Sequence, residues 1–273
     1  MLKSAAKFAK VMAMGSDTAT WPSLLAATIA LRPYVFIFLA AFLVLAGRDL
    51  GWRRAAGWLA WGFAVALAAE YASTRFGIPF GLYHYTGATA GREVFISNVP
   101  FFDPLSFPFL AYASFCLARG ALGKPDGWAV IALAGTLMML LDVVIDPVAV
   151  RGDRWFLGRV FYYAEPGVFF GVPVSNFVGW VLVGCAIVAG YLWAVRPRSR
   201  PMGSPSGGIG LYYGVLGFNL GLAGWIGEWR LLGVGILVHV TVILVLCPLK
   251  TMSAAWDWAA ARRQGPVVMR PRP

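Results

Sequence analysis

Residues 128–147 read WAVIALAGTLMMLLDVVIDP, and this stretch indicates the fold of the whole chain. It is long and apolar enough for a membrane-spanning helix of about twenty residues, and its two charged side chains are aspartates near the carboxyl end. Six more segments follow this pattern, and the seven lie near Ser23–Ala46, Ala55–Ala72, Asp103–Leu117, Trp128–Ile145, Pro173–Val195, Gly208–Ile226 and Leu231–Leu249. The sequence therefore predicts an all-α fold, a polytopic membrane helix bundle with about seven transmembrane helices.

The composition supports a membrane protein and excludes a soluble nucleic-acid binder. Hydrophobic residues make up 59% of the 273 residues, charged residues 13%, and the mean hydropathy is +0.70. Soluble domains contain about 25% charged residues. The net charge of +11 comes from Lys and Arg in short runs between apolar segments, which is typical of membrane topology signals. We expect membrane lipids as partners and no nucleic acid.

The basic residues also predict domain limits and an orientation. We expect a basic interfacial tail at 1–22, one transmembrane helical domain at 23–250, and a basic C-terminal tail at 251–273. Counted on alternate sides of the spans, Lys and Arg number thirteen on the C-terminal side and ten on the other. Since positive residues prefer the cytoplasm, we expect a multi-pass protein of the cell (inner) membrane with its N-terminus outside.

Local features predict details of the helices. Arg32-Pro33 interrupts the first segment, so an interfacial helix over residues 21–31 is the alternative to one long span. Glycines four residues apart between 207 and 221 predict close helix packing, and His239 is expected to be a hydrogen-bonded helix contact. The three cysteines lack a C-x-x-C spacing, so neither a disulfide framework nor a metal site is predicted.

Four carboxylates lie inside or at the ends of the predicted spans, where ionisable side chains are costly and mark functional sites. They are Glu70, Asp103, Asp142 and Asp146. The end of an even-numbered span and the start of the next span lie on the same side of the membrane, so all four are expected at one rim of the bundle. His84, Glu165 and Asn176 are expected to join them from the two long loops and the start of the fifth span.

Asp142 and Asp146 are four residues apart and share a helix face. Two carboxyl groups in an apolar setting cannot both ionise cheaply, so we expect a protonated acid near neutral pH. The structural alternative is an ion pair of one aspartate with Arg75 or Arg151, or a cap on a neighbouring helix.

Three further catalytic candidates have structural alternatives as well. Glu70 would pair with Arg75, and Asp103, which precedes Pro104, would act as a helix N-cap. His84 would either shuttle a proton or form a hydrogen bond in the interface.

Aromatic residues are dense around the predicted rim, especially between Arg151 and Pro173. Most are expected to form the interfacial belt, while others would line a groove for an apolar substrate and stabilise a carbocation. The residues assigned to substrate or water binding are Tyr83, Tyr85, Tyr162, Tyr163, Glu165, Asn176 and Trp180.

Three blocks of sequence resemble a known family. They are FGIPFGLYHY at 76–85, LDVVIDP at 141–147 and YYAEPGVFFGVPVSNFVGW at 162–180. In order and spacing they are similar to the integral-membrane carotenoid biosynthesis family, whose known members are carotenoid 1',2'-hydratases of the CruF type. The third block is the most specific, and the outer segments match only in hydropathy.

The resemblance implies addition of water across the terminal double bond of an acyclic carotenoid end, as in lycopene or gamma-carotene, to give a tertiary hydroxyl. Such a reaction needs a neutral acid in a dry site, stabilisation of the cation and a held water. The substrate would lie in the bilayer, and no cofactor is required.

Other functions fit parts of the pattern. A carotenoid cyclase would use the same protonation, with a neighbouring double bond in place of water. A membrane prenyltransferase would use the Asp142–Asp146 spacing to hold magnesium, but needs a second acidic motif and basic residues. A proton-coupled transporter or a pigment-binding protein would also explain buried acids, although a transporter is expected to place them near the bilayer midplane.

Overall fold

The computed structural model describes residues 20–195 and 202–263, in which the chain forms a bundle of eight α-helices. They are α1 (Trp21–Leu31), α2 (Pro33–Asp49), α3 (Trp52–Phe76), α4 (Ser106–Leu122), α5 (Trp128–Ala149), α6 (Val174–Val195), α7 (Ser206–Trp225) and α8 (Trp229–Arg263). The four short strands in this part of the chain are β1 (Tyr83–Tyr85), β2 (Phe95–Ile96), β3 (Val99–Pro100) and β4 (Phe161–Tyr163). The predicted all-α membrane bundle is confirmed.

Each of the seven predicted segments contains a helix, but fewer helices have the length and hydropathy of a span. Four do so among the described residues, namely α3, α5, α6 and the Trp229–Pro248 part of α8. The pair α1 and α2 would add a fifth, although the two helices are bent by 94° at Arg32. Helix α4 has only 17 residues, and glycines and tyrosines lower the hydropathy of α7. The count of about seven therefore stays a prediction.

The predicted tails fall largely outside the described residues. Residues 1–19 and 264–273 are not covered, whereas the backbone of 251–263 continues α8. The limits of the domain at 23–250 stay a prediction.

Arg32 anchors the bend between α1 and α2. Its guanidinium is buried and forms two hydrogen bonds to Glu93, at 3.0 and 3.2 Å, and a third to the carbonyl oxygen of Leu157. It also lies 4.4 Å from the ring centroid of Phe102. The contacts of Arg32 therefore hold the two long loops, one before α4 and one before α6, against α1 and α2.

Glycines allow the central helices to approach closely. A Cβ atom on Gly135 of α5 would lie 2.5 Å from Cys185 Sγ and 2.7 Å from the carbonyl oxygen of Val181, both on α6. On α7 the close contacts are at Gly207 and Gly208, where a Cβ would lie 2.6 Å from Leu45 Cδ2 and 2.4 Å from Cys116 Sγ, respectively. The prediction that the glycine spacing of 207–221 marks a packing stripe is wrong for Gly210, Gly214, Gly217 and Gly221, where an added Cβ would meet no other element within 4 Å among the described residues.

We expect Gly135→Ala to destabilise the protein by about 1–3 kcal/mol, because the added methyl group overlaps the α6 backbone. Gly210→Ala is the matched control: its methyl group enters open space, and the higher helix propensity of alanine should stabilise α7 slightly. Thermal unfolding of both variants in the same detergent checks this. Equal unfolding midpoints for Gly135→Ala and Gly210→Ala would contradict the packing argument.

The bundle also holds a buried ion pair far from the predicted acid rim. Asp49 at the end of α2 lies 2.6 Å from Arg119 of α4, and Tyr112 donates a hydrogen bond to the same carboxyl oxygen at 3.2 Å. Sequence reasoning did not single out Asp49.

Candidate active site

The four predicted carboxylates come together at one rim of the bundle. Glu70 lies near the end of α3, Asp103 in the loop before α4, and Asp142 and Asp146 near the end of α5. Two neutral side chains, one from β1 and one from the first turn of α6, link them in pairs. The prediction that these acids share one rim is confirmed.

Tyr85 links the first pair. Its hydroxyl oxygen lies 2.9 Å from Glu70 Oε2 and 2.7 Å from Asp103 Oδ2. A phenol has one hydrogen and can donate to only one of these oxygens. The second short O···O contact is favourable only if that carboxyl donates a hydrogen in turn. The geometry therefore favours a proton on either Glu70 or Asp103.

The pairing of β1 with β4 determines which side chains reach this cluster. The two strands are antiparallel, with Tyr83 opposite Tyr163 and Tyr85 opposite Phe161. Because side chains alternate along a strand, Tyr83 and Tyr85 point inward together, and their hydroxyl oxygens are 3.5 Å apart. His84, between them, points the other way.

Asn176 links the second pair. Its Nδ2 atom donates to Asp142 Oδ2 and to Asp146 Oδ2, at 2.7 Å each. Asp146 Oδ2 also accepts a hydrogen bond from the Tyr163 hydroxyl at 3.2 Å. The other oxygen of Asp142, Oδ1, is buried and has no hydrogen-bond partner among the described residues. Asp146 is therefore better supplied with donors than Asp142.

Asp103 lies in a loop, outside the helices, and is half-buried beside Tyr85. Burial raises the pKa of its carboxyl to about 6, while the hydrogen bond from Tyr85 and the charge of Arg32 partly offset this effect. Burial also raises the pKa of the Tyr85 phenol well above its usual value, and the charges of Asp103 and Glu70 add to that rise. Tyr85 is thus a neutral hydrogen-bonding partner at physiological pH.

Two cavities meet at the acid cluster. The smaller is lined by Glu70, Phe80, Tyr83, Asp103, Phe107, Asp146, Phe161, Tyr163, Asn176 and Trp180. The larger is mostly apolar and lies between α2, α4, α5 and α7. Asp103, Asp146, Phe161 and Trp180 line both cavities, so two of the four carboxyls face the larger apolar cavity and a smaller, more polar one at once.

The structure brings some predicted binding residues to the cavities and leaves others outside. Tyr83, Tyr163, Asn176 and Trp180 line the smaller cavity, and Tyr85 is hydrogen-bonded to two of its carboxyls. His84 and Tyr162 face away from it on the outer side of the β1–β4 pair, with ring centroids 5.8 Å apart. Glu165 is exposed in the turn after β4. Asp142 lies behind Asp146 and lines neither cavity.

The structural alternatives for the acids are wrong. The residue at the N-cap of α4 is Leu105, and Asp103 does not cap that helix. Arg75 donates to Asn98 Oδ1 at 2.8 Å and to Ser97 Oγ instead of pairing with Glu70.

Arg151 does not pair with either aspartate of α5, since it forms an ion pair with Glu228 at 3.0 Å. The expectation for His239 is confirmed: its Nε2 atom lies 3.1 Å from the carbonyl oxygen of Leu140.

Sequence reasoning missed the side of the larger cavity formed by α2, α4 and α7. The missed lining residues include Tyr34, Phe38, Phe109, Phe218 and Asn219. The sequence did carry one signal for the α2 side of this cavity: Tyr34 and Phe38 are four residues apart and therefore share a helix face.

This fold and site define a class of protein: a multi-pass membrane protein in which a buried acid cluster borders an apolar cavity suited to a lipophilic molecule. The chain belongs to the carotenoid biosynthesis protein family, whose family model matches residues 24–248. The resemblance seen in the three sequence blocks is thereby confirmed.

One curated relative is bisanhydrobacterioruberin hydratase of Haloarcula japonica. The two sequences are 34% identical over 121 residues, which cover 44% of this chain and 38% of the relative. The match thus spans well under half of that protein's length. No solved structure matches the chain.

Proposed function

We propose that this protein is a carotenoid hydratase that adds water across the terminal double bond of an acyclic carotenoid end. The observation that carries the proposal is the meeting of the two cavities at Asp103 and Asp146. An apolar end group in the larger cavity and a water in the smaller one would contact the same two carboxyls. Family membership and the name of the curated relative support this reaction class.

Asp103 is proposed to be the proton donor. It faces the apolar cavity and shares the Tyr85 hydroxyl group with Glu70. Transfer of its proton to the less substituted carbon of the double bond leaves the positive charge on the tertiary carbon. The electron pair of the double bond forms the new C–H bond.

Asp146 is proposed to be the ionised partner. Donors from Asn176 and Tyr163 support its negative charge, which stabilises the cation together with the ring faces of Phe161 and Trp180. Water from the smaller cavity forms the C–O bond and gives its extra proton to Asp146. Return of that proton to Asp103 through water in the smaller cavity, which both carboxyls line, completes the cycle. Alkene and water are consumed, the alcohol is formed, and no oxidant is required.

The substrates proposed are lycopene or gamma-carotene types, hydrated at the 1',2' position, with the protein in the cell membrane. The test is expression in cells that accumulate either pigment, grown without oxygen in heavy-oxygen water, followed by mass analysis of the extracted pigments. A product heavier by one labelled water is expected. Unchanged mass with altered retention would indicate a cyclase, and unchanged pigment despite confirmed expression would overturn both.

The pH dependence of hydration should follow Asp103. A proton donor is active in its protonated form, which prevails below its pKa of about 6. We expect the rate in detergent to fall by up to about tenfold per pH unit above that value. A rate that is constant from mildly acidic to mildly alkaline pH would contradict the assignment.

Tyr85→Phe should move the fall in hydration rate, the alkaline limb of the pH profile, to higher pH. The Tyr85 hydrogen bond lowers the pKa of Asp103, so its removal lets burial raise that pKa further. A merely structural role for Tyr85 would lower the rate at every pH without moving the limb. Parallel pH profiles of the variant and the parent protein distinguish the two.

A further inference from the structure

Six aromatic side chains form a continuous row from the protein surface into the larger cavity. In order from the surface they are Trp225, Phe156, Tyr34, Phe218, Phe38 and Phe109. Successive ring centroids are 6.4, 5.8, 5.3, 5.7 and 5.8 Å apart. Tyr34 and Phe218 are stacked, with 20° between their planes.

The row leads from exposed rings to the acids. Trp225 and Phe156 at its outer end are 68% and 51% exposed. The other four rings line the larger cavity, whose wall also contains Asp103 and Asp146. A molecule that follows the row inward therefore ends at the proposed proton donor.

The row runs between α2 and α7 at the end of the bundle that carries the acids. Trp225 ends α7, and Tyr34 lies in the first turn of α2. Arg154 donates hydrogen bonds to Glu228 and to the carbonyl oxygen of Ile226, which holds the loop carrying Phe156 against the end of α7. Tryptophan at the end of a membrane helix is favoured at the boundary between headgroups and acyl chains.

We propose that this aromatic row is the path by which the end of a polyene chain passes from the bilayer, between α2 and α7, to the acid cluster. Ring faces offset-stack with a flat conjugated chain and guide it without polar contacts. The remainder of the molecule stays in the bilayer, because the outer end of the row is exposed at the protein surface. The identity of the ligand rests on the proposed function, whereas the path rests on the contacts between the rings.

The path can be tested by photo-crosslinking that does not depend on catalysis. p-Benzoylphenylalanine replaces Trp225 in one variant and Phe76 in another, and each protein is reconstituted in phosphatidylglycerol and phosphatidylethanolamine vesicles containing lycopene. Phe76 ends α3, lies at the same rim, is 75% exposed and contacts no ring of the row, so it is the depth-matched control. Illumination and intact-protein mass measurement follow.

We expect the variant with the photoprobe at position 225 to gain the mass of one lycopene. The variant with the probe at position 76 should show no such gain. Equal lycopene adducts at both positions, or phospholipid adducts alone at position 225, would overturn the path. Hydration by the parent protein is measured in the same vesicles. A lycopene adduct at position 225 without hydration supports the path and overturns the hydratase, whereas hydration without that adduct overturns the path alone.

Discussion

Asp103→Asn is expected to reduce the hydration rate by about 10²–10⁴-fold, the usual contribution of a general acid. The amide preserves the shape of the side chain and its contact with Tyr85, but cannot supply a proton to the alkene. Both cavities keep their walls, so pigment binding should persist. Initial rates of labelled-water incorporation in detergent, with pigment binding measured in parallel, give the result.

Asp153→Asn is the control for this change. Asp153 is an exposed carboxylate in a short 3₁₀ turn, Gly152–Arg154, after α5. Its substitution should leave the rate unchanged. An Asp103→Asn protein with the parent's rate would remove Asp103 as the proton donor and direct attention to Glu70, which shares Tyr85 with it.

Asp146→Asn should reduce the rate by about 10²–10³-fold, a loss typical of removing a preorganised group that stabilises charge in the transition state. Asp146 lines both cavities and accepts hydrogen bonds from Asn176 and Tyr163. Without its negative charge the carbocation loses its nearest counter-charge and water loses its base. The same assay measures this, and a rate within twofold of the parent would contradict the assignment.

Asp142→Asn provides the matched comparison on the same helix. Asp142 shares the Asn176 donor with Asp146 but lines neither cavity, so it is a positioning residue. Its loss should cost no more than about tenfold in rate, equivalent to about one hydrogen bond. A larger loss for Asp142→Asn than for Asp146→Asn would reverse these roles.

The hydrogen-bond pattern gives a physical reason for two pairs of carboxyls instead of four separate acids. Isolated charges inside a bundle are costly, and a shared neutral donor reduces that cost. Tyr85 and Asn176 each hold two carboxyl oxygens within hydrogen-bond distance. One pair can then hold a proton while the other holds a charge, which is the asymmetry that acid-catalysed hydration requires.

The location of the acids at one rim also bears on the transporter alternative. A proton-coupled transporter is expected to use acids near the bilayer midplane in broken helices. Here Glu70 and Asp146 lie near the ends of their helices, and Asp103 precedes α4. The arrangement favours chemistry at a boundary where water and an apolar chain are both available.

The larger cavity illustrates why part of the site was not predictable. Loop aromatics such as Phe161 were expected near a substrate groove, and Phe161 lines both cavities. Phe218 and Asn219 of α7 gave no such signal, because a helix in lipid is apolar on every side. Which face of α7 turns inward depends on its contacts with α4, α5 and α2.

The sequence by itself determined the membrane bundle, the break at Arg32-Pro33 and the gathering of four acids at one rim. Helix length and alternating topology control these features, and both are local properties of the chain. Only the tertiary structure decided that Tyr85 binds Glu70 and Asp103, that Asp146 and not Asp142 faces the cavities, and that His84 points outward. Those outcomes depend on how helices rotate and approach one another. A helix rotation by a fraction of a turn, or a helix shift of about 1 Å, then decides whether two side chains that are distant in the sequence come into contact.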